Sequence, residues 1–200
     1  SEKHLHNCLR SVCSQLKKGV EIILINDNSS DASHKIAEKF KKKYRQIKYI
    51  YLKERKGVSY CRNIGVKISH GEYIFFIDSD DQITKGSIRN ILHNLYKYLN
   101  TEIFATNFYL LKAGRKILNI VNKKAKSNEI MKNNESKSLL SALNYKFKRN
   151  KKITFTCWQY IYQKKFLITN QLFFNNLYTS EDWEFIIKVH FLATRYKFIS

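Results

Sequence analysis

Three acids crowd into four positions: Asp78, Asp80 and Asp81, with Ser79 between the first two, at the end of the apolar run IFFI at 74–77. The chain has only sixteen Asp and Glu residues and a formal net charge of +21, so the cluster stands out. Alternation of side chains along an extended segment sends the two carboxylates of an Asp-x-Asp to one side. Two hard oxygen donors on a strand end suit Mg²⁺ or Mn²⁺, ions that complete their shells with waters and substrate phosphates. Such a cation would ease the repulsion among the acids and offset the charge of a diphosphate. Two further acidic positions have similar settings. Asp27 follows the apolar run VEIILIN at 20–26, and Glu181 with Asp182 opens the segment SEDWEF at 180–185.

Other Asp-rich motifs fit poorly. A calcium loop beginning at Asp78 needs Gly at its sixth position and Glu at its twelfth; the chain has Ile83 and Arg89. An aspartyl-phosphate phosphatase needs Thr or Val where Gln82 stands. The plain structural readings are a helix-capping cluster ahead of Thr84 and first-turn acids at 181–182 that complement a helix dipole.

These acids need a frame that brings them together. Leu5, Cys8, Leu9, Val12 and Leu16 share one face of a helix over 4–16. Residues 20–26 read as a strand buried on both faces, and DNSSD at 27–31 as a turn and helix cap. Helices over 32–44, 57–69 and 85–99 alternate with strands at 47–52 and 72–78. This αβαβαβα order implies a mostly parallel sheet with helices on its faces. In such sheets ligands bind beyond the carboxyl ends of the strands, which is where Asp27 and Asp78–Asp81 fall. The second half is less regular. Strands are expected at 101–111 and 116–121, paired around Ala113-Gly114, and at 154–163. A polar loop at 123–134, a helix near 135–148 and a helix over 180–195 capped by Ser180 or a neighbour complete the reading.

Two hundred residues with 44% hydrophobic content suffice for one domain with its own core. The basic runs at 41–45, 123–126 and 146–152 are spread along the chain, which favours a broadly positive surface over a dedicated tail. Cys8, Cys13, Cys61 and Cys157 form no Cys-x-x-Cys pair and complete no zinc set, so reduced, partly buried thiols in the cytoplasm are expected. No apolar stretch reaches the length that spans a bilayer.

The segments EIILINDNSSDAS, KGVSYCRNIGVKISHGEYIFFIDSDD and SEDWEF resemble, in order and spacing, the successive signatures of family 2 glycosyltransferases with the GT-A fold. The resemblance covers residues 3–200 and is most specific over 56–81. It implies an α/β, Rossmann-like fold and a single catalytic domain over 1–200, with a nucleotide-sugar half at 1–99 and an acceptor half at 100–200. It also implies inverting transfer from a nucleotide-sugar, UDP-linked, to a hydroxyl of a glycan or lipid-linked acceptor, in the making of bacterial surface polysaccharide, lipopolysaccharide or capsule. By resemblance, Asp27 takes a hydrogen bond from the nucleotide base, Arg62 lies near the phosphates, and Asp78 and Ser79 lie near the ribose. Asp80, with Asp78, holds Mn²⁺ or Mg²⁺, and Asp182, with Glu181 beside it, is the general base. Trp158 and Trp183 are candidate walls of the acceptor pocket.

Four departures qualify the match. Asn26 stands where the family often has an acid, and Tyr60 where it often has a small residue. The family's opening strand is absent, so an unfilled position in the sheet is expected, as for a fragment. The chain also stops at the start of what reads as a further strand. Rival readings are an inactive fragment of such an enzyme, a nucleotidyltransferase, and a basic nucleic-acid-binding module. The nucleotidyltransferase lacks its Gly-rich phosphate loop. The nucleic-acid module lacks aromatics interleaved with Lys and Arg on one face, and no nucleic acid partner is expected. The positive surface instead suggests peripheral contact with the anionic inner leaflet of the cytoplasmic membrane.

Overall fold

The computed structural model describes residues 2–106, 108–112, 115–119, 156–177 and 179–199. The first half alternates as expected: α1 (Glu2–Cys13), β1 (Ile22–Asn26), α2 (Ser33–Lys43), β2 (Ile47–Tyr51), α3 (Val58–Ile68), β3 (Tyr73–Phe75) and α4 (Ser87–Lys97). The second half adds β4 (Ile103–Thr106), β5 (Phe108–Lys112), β6 (Arg115–Asn119), β7 (Tyr160–Gln163), α5 (Lys164–Thr169), α6 (Glu181–Leu192) and β8 (Tyr196–Ile199).

β1 and β2 pair in parallel, with Ile22 opposite Ile47. The run Ile22–Ile25 has no polar face because both faces are covered. Ile22 and Leu24 pack against Leu5, Leu9 and Phe40 from α1 and α2. On the other side Ile25 lies 3.8 Å from where a side chain on Gly65 of α3 would begin, so this glycine lets helix and strand approach closely. A second sheet runs in the order β3-β7-β4-β8, with β7 antiparallel to both neighbours and β4 parallel to β8. Its alternation separates two layers. Ile103, Ala105, Tyr160 and Tyr162 join the core with Phe166, Leu167, Phe185 and Val189. Phe104 and Ile161 face the opposite side, against Ile91 and Leu95 of α4. The α/β class with helices on both faces is therefore the observed one.

Four differences from the expected elements have physical causes. The stretch 101–111 is two strands. Ile103, Phe104 and Ala105 of β4 are buried in the main sheet, whereas β5 pairs with β6, with Lys112 opposite Arg115. Among the described residues of the segment expected as a strand over 154–163, the strand begins only at Tyr160. Cys157–Gln159 before it is a 3₁₀ turn, held by a bond from the Tyr162 hydroxyl to the Cys157 carbonyl (3.0 Å). The short helix α5 follows β7 directly, without a capping side chain to announce it. At α6, Ser180 occupies the cap position in a left-handed conformation (φ 67°), and its hydroxyl does not cap. The expected loop at 123–134 and helix near 135–148 lie outside the described residues.

Among the described residues no ladder joins β1 to β3. A cavity of about 1020 Å³ lies there, lined along both strands and by side chains of α1, α3 and α4. This matches the expected unfilled sheet position. No described helix is long and apolar enough to cross a membrane.

Candidate functional site

The site lies past the ends of β1 and β3, where the chain must turn. Asn26 is buried and shapes the first turn: its Oδ1 accepts the Ser29 amide (2.8 Å) and its Nδ2 donates to the Tyr49 hydroxyl (3.1 Å). An amide side chain can both accept and donate, so Asn serves this turn where a carboxylate could only accept. Asp27 then projects toward the start of α3. Its two oxygens accept the backbone N–H groups of Lys56 (2.7 Å) and Gly57 (2.9 Å). Gly57 has φ 88°, a left-handed conformation that presents its amide to Asp27 at no side-chain cost. The Cys61 thiol lies one turn into α3, within the influence of the Asp27 charge. Burial chiefly, and Asp27 next, push its pKa up to about 11.

Arg62 is the hub of the site. Its guanidinium is only 10% exposed and meets three carboxylates. Nη1 donates to Asp182 (2.6 Å) and to Glu181 (3.2 Å), and Nη2 donates to Asp78 (3.1 Å). The same group lies 5.2 Å from the ring centre of Phe174. Three segments that the sequence places far apart thus meet at one planar fork, the geometry for which arginine is suited.

Asp78 reaches the fork because Phe76, two residues earlier, is locked edge-on against Phe174 and Phe185. Beyond it the chain turns, with the Asp81 amide donating to the Asp78 carbonyl (3.0 Å). Asp80 is exposed and Ser79 is partly buried. Burial first, then the charges of Asp78 and Asp80, push the Asp81 pKa up to about 6. That crowding marks a surplus of negative charge among hard oxygen donors, which fits a divalent cation on Asp78 and Asp80. Among the described residues, no group of three or more His, Cys, Asp or Glu surrounds one metal position.

Asp182 sits in the first turn of α6. One carboxylate oxygen takes the Arg62 bond, and the other accepts the Cys157 amide (3.3 Å). Burial raises its pKa above the ordinary carboxylate value, while Arg62 and the Cys157 bonds pull it back. The result is a half-buried carboxylate with a raised proton affinity, a setting suited to taking a proton. Trp183, beside it, is 44% exposed, and Trp158 is half-buried in the 3₁₀ turn.

The sequence reading missed the residues that place Arg62. Asn63 clamps the backbone of Phe174, donating to its carbonyl (2.8 Å) and accepting its amide (2.9 Å). The Ser59 hydroxyl donates to the Asn175 carbonyl (2.9 Å). Together they dock α3 on the 173–176 segment and bring Phe174 under the guanidinium. Phe174 stacks in turn on Phe185 of α6 at 3.9 Å. The one sequence signal was the adjacency of Asn63 to Arg62. Nothing local pointed to Cys157 or Phe174.

Residues 1–169 match the family described as Glycosyl transferase family 2. Among curated relatives, the cholesterol galactosyltransferase of Borreliella burgdorferi is 29% identical over 205 residues, covering 100% of this chain and 55% of the relative. Among solved structures, S. aureus TarS 1-349 in complex with UDP aligns with a TM-score of 0.76 at 24% identity, covering 100% of this chain and 54% of that one. The mannosyltransferase PcManGT from Pyrobaculum calidifontis, in complex with GDP-Man and Mn²⁺, aligns with a TM-score of 0.64 at 10% identity, covering 100% and 53%. The chain thus spans about half the length of these proteins.

Proposed function

The chain belongs to glycosyl transferase family 2, and from that premise we propose that it moves a sugar from a UDP-linked donor to a hydroxyl of a glycan or lipid-linked acceptor, with inversion. The setting is the building of a bacterial surface polysaccharide, lipopolysaccharide or capsule at the cytoplasmic face of the membrane. The observation that carries this reading is the Arg62 fork. It ties the strand-end acid Asp78 to the α6 acids Glu181 and Asp182 in one cluster, so a donor held at the first lies beside a base at the second.

Each residue has a role in that transfer. The acceptor oxygen attacks the anomeric carbon, the bond from that carbon to the diphosphate oxygen breaks, and Asp182 takes the acceptor's proton. Its raised proton affinity serves that step. Glu181 shares Arg62 with Asp182 and helps to hold it in place. Asp27, fixed by two backbone amides, presents its remaining lone pairs to the nucleotide base. Asp78 and Ser79 lie on the ribose side, and Arg62 is within reach of the donor phosphates. Asp78 and Asp80 would hold Mn²⁺ or Mg²⁺, which when bound supplies charge stabilisation to the leaving diphosphate. The UDP and the GDP-Man with Mn²⁺ bound by proteins of similar fold support this donor chemistry. A relative named for galactosylating cholesterol supports a lipid acceptor. The halves 1–99 and 100–200 are assigned to donor and acceptor on the same grounds.

Calorimetric titration of UDP with and without Mn²⁺ tests the donor site. Binding that needs Mn²⁺ and is lost in Asp80→Ala is the expected result. Metal-independent binding, or binding that Asp80→Ala leaves intact, would overturn the assignment of the cation to this pair.

A further inference from the structure

A second cavity lies outside the donor site. It has a volume of about 560 Å³ and runs between α1 and the segment that leads into α4, within the size range of small-ligand sites. Four cations line it: Arg10 and Lys17 from the α1 side, Lys85 and Arg89 from the α4 side. No acid lines it. None of the four forms an ion pair with a described residue.

The walls are built rather than accidental. The opposite face of α1 carries the buried Leu5, Cys8, Leu9 and Val12, so Asn7 and Arg10 lie on its outer ridge, and Ser14 and Lys17 continue that wall past the end of the helix. Two polar side chains staple that ridge to the facing segment. The Ser11 hydroxyl accepts the Ile83 amide (3.1 Å). Gln15 accepts the Gly86 amide (2.7 Å) and donates to the Thr84 carbonyl (3.0 Å). Gly86, at φ 90°, turns the chain into α4 in a conformation that a side chain rarely adopts. These bonds fix two pairs of like charges around one space, an arrangement that repels itself unless an anion enters.

We propose that this cavity is an anion site for a phosphate group, presented as a lipid headgroup or as a free phosphate ester or diphosphate. Planar guanidinium groups on opposite walls, at Arg10 and Arg89, suit the bidentate recognition of phosphate oxygens. The two lysines add point charges to the same space. The cavity begins at Gln82, immediately after Asp81. A phosphate held there docks its carrier beside the strand-end acids without competing for them. The site does not depend on the glycosyltransferase reading.

The test titrates inorganic pyrophosphate into the chain in EDTA, which removes any metal-dependent binding at Asp78 and Asp80. Saturable binding that falls at least tenfold in Arg10→Gln/Arg89→Gln is expected. The charge-matched control Lys39→Gln/Lys42→Gln on α2 is expected to change it less than twofold. Equal losses in the two pairs, or no saturable binding, would overturn the proposal by reducing the effect to net charge. All four positions are exposed, so both pairs keep the parent unfolding midpoint, and a shifted midpoint is resolved by the single variants. Sedimentation with phosphatidylglycerol and phosphatidylcholine vesicles separates the sources. Binding to the anionic vesicles that falls in the arginine pair identifies a headgroup. Vesicle binding indifferent to the pair, alongside pyrophosphate binding that needs it, identifies a soluble phosphate. The arginine pair retains Mn²⁺-dependent UDP binding; if the parent chain lacks that too, the donor-site reading fails and this one stands.

Discussion

Replacing Arg62 with Met tests the hub directly. The substitution keeps an apolar stem over Phe174 and removes the guanidinium. Asp182, Glu181 and Asp78, with side chains 16%, 20% and 36% exposed, are then left facing one another with no counter-charge. Removing one partner of a buried ion pair costs about 3–5 kcal/mol. The partial exposure of Asp78 screens its share, so the lower end, about 3 kcal/mol at pH 7.5, is expected. For a chain of this length that is a fall of roughly 6–12 °C in Tm. The deficit must also depend on pH. Arg62 lowers the Asp182 pKa against the upward push of burial, so without it that pKa rises further. A carboxylate whose native pKa lies above its unfolded value takes up its proton first in the folded state. The penalty is therefore present above that raised pKa and lost as pH falls through it. Urea unfolding of parent and variant at pH 7.5 and 5.0 measures both quantities. The expected deficit is smaller at the lower pH, because protonation of Asp182 in the folded variant relieves part of the repulsion. A deficit below about 1 kcal/mol at pH 7.5, or one equal at both pH values, refutes the argument that the three acids depend on this one cation.

Asp182→Asn removes the proton acceptor while keeping an oxygen for the Cys157 amide; a fall in sugar transfer of about 10²–10⁴-fold with UDP binding intact is expected in a donor-turnover assay. Phe185→Ala empties a fully buried site stacked on Phe174 and should cost about 3–5 kcal/mol by chemical denaturation, with Mn²⁺-dependent UDP binding weakened because Arg62 rests on Phe174. The Cys61 thiol, raised from 9.0 to about 11, should react with iodoacetamide at pH 7.5 about 100-fold more slowly than an ordinary free thiol, since only the thiolate attacks; Asp27→Asn should narrow that gap, as read by mass spectrometry of the labelled peptide.

Local pattern was enough for the first half. A continuous apolar run such as IILI at 22–25 has one use in a small domain, a strand covered on both faces, and the helical spacing of Leu5, Cys8, Leu9 and Val12 leaves one face to bury. Those rules also put Asp27 and Asp78–Asp81 past the ends of β1 and β3, although β3 stops at Phe75, short of the strand expected over 72–78. The second half yielded less, because its elements depend on distant partners. The Tyr160–Gln163 segment is a strand only where β3 and β4 flank it, and the preceding residues turn because Cys157 meets Asp182 and Tyr162. Residue types and spacing named the acids, and their resemblance to a family named roles for them. Only the tertiary structure decided what each acid faces. The Arg62 fork joins residues 16 to 120 positions apart, the Asn63 clamp spans 111, and the basic cavity needs α1 beside the segment that leads into α4. Sequence periodicity reports on a helical turn or a strand pleat, a few residues at a time. Contacts between segments a hundred residues apart are set by which hydrophobic faces pack together, and so become legible only when the chain is folded.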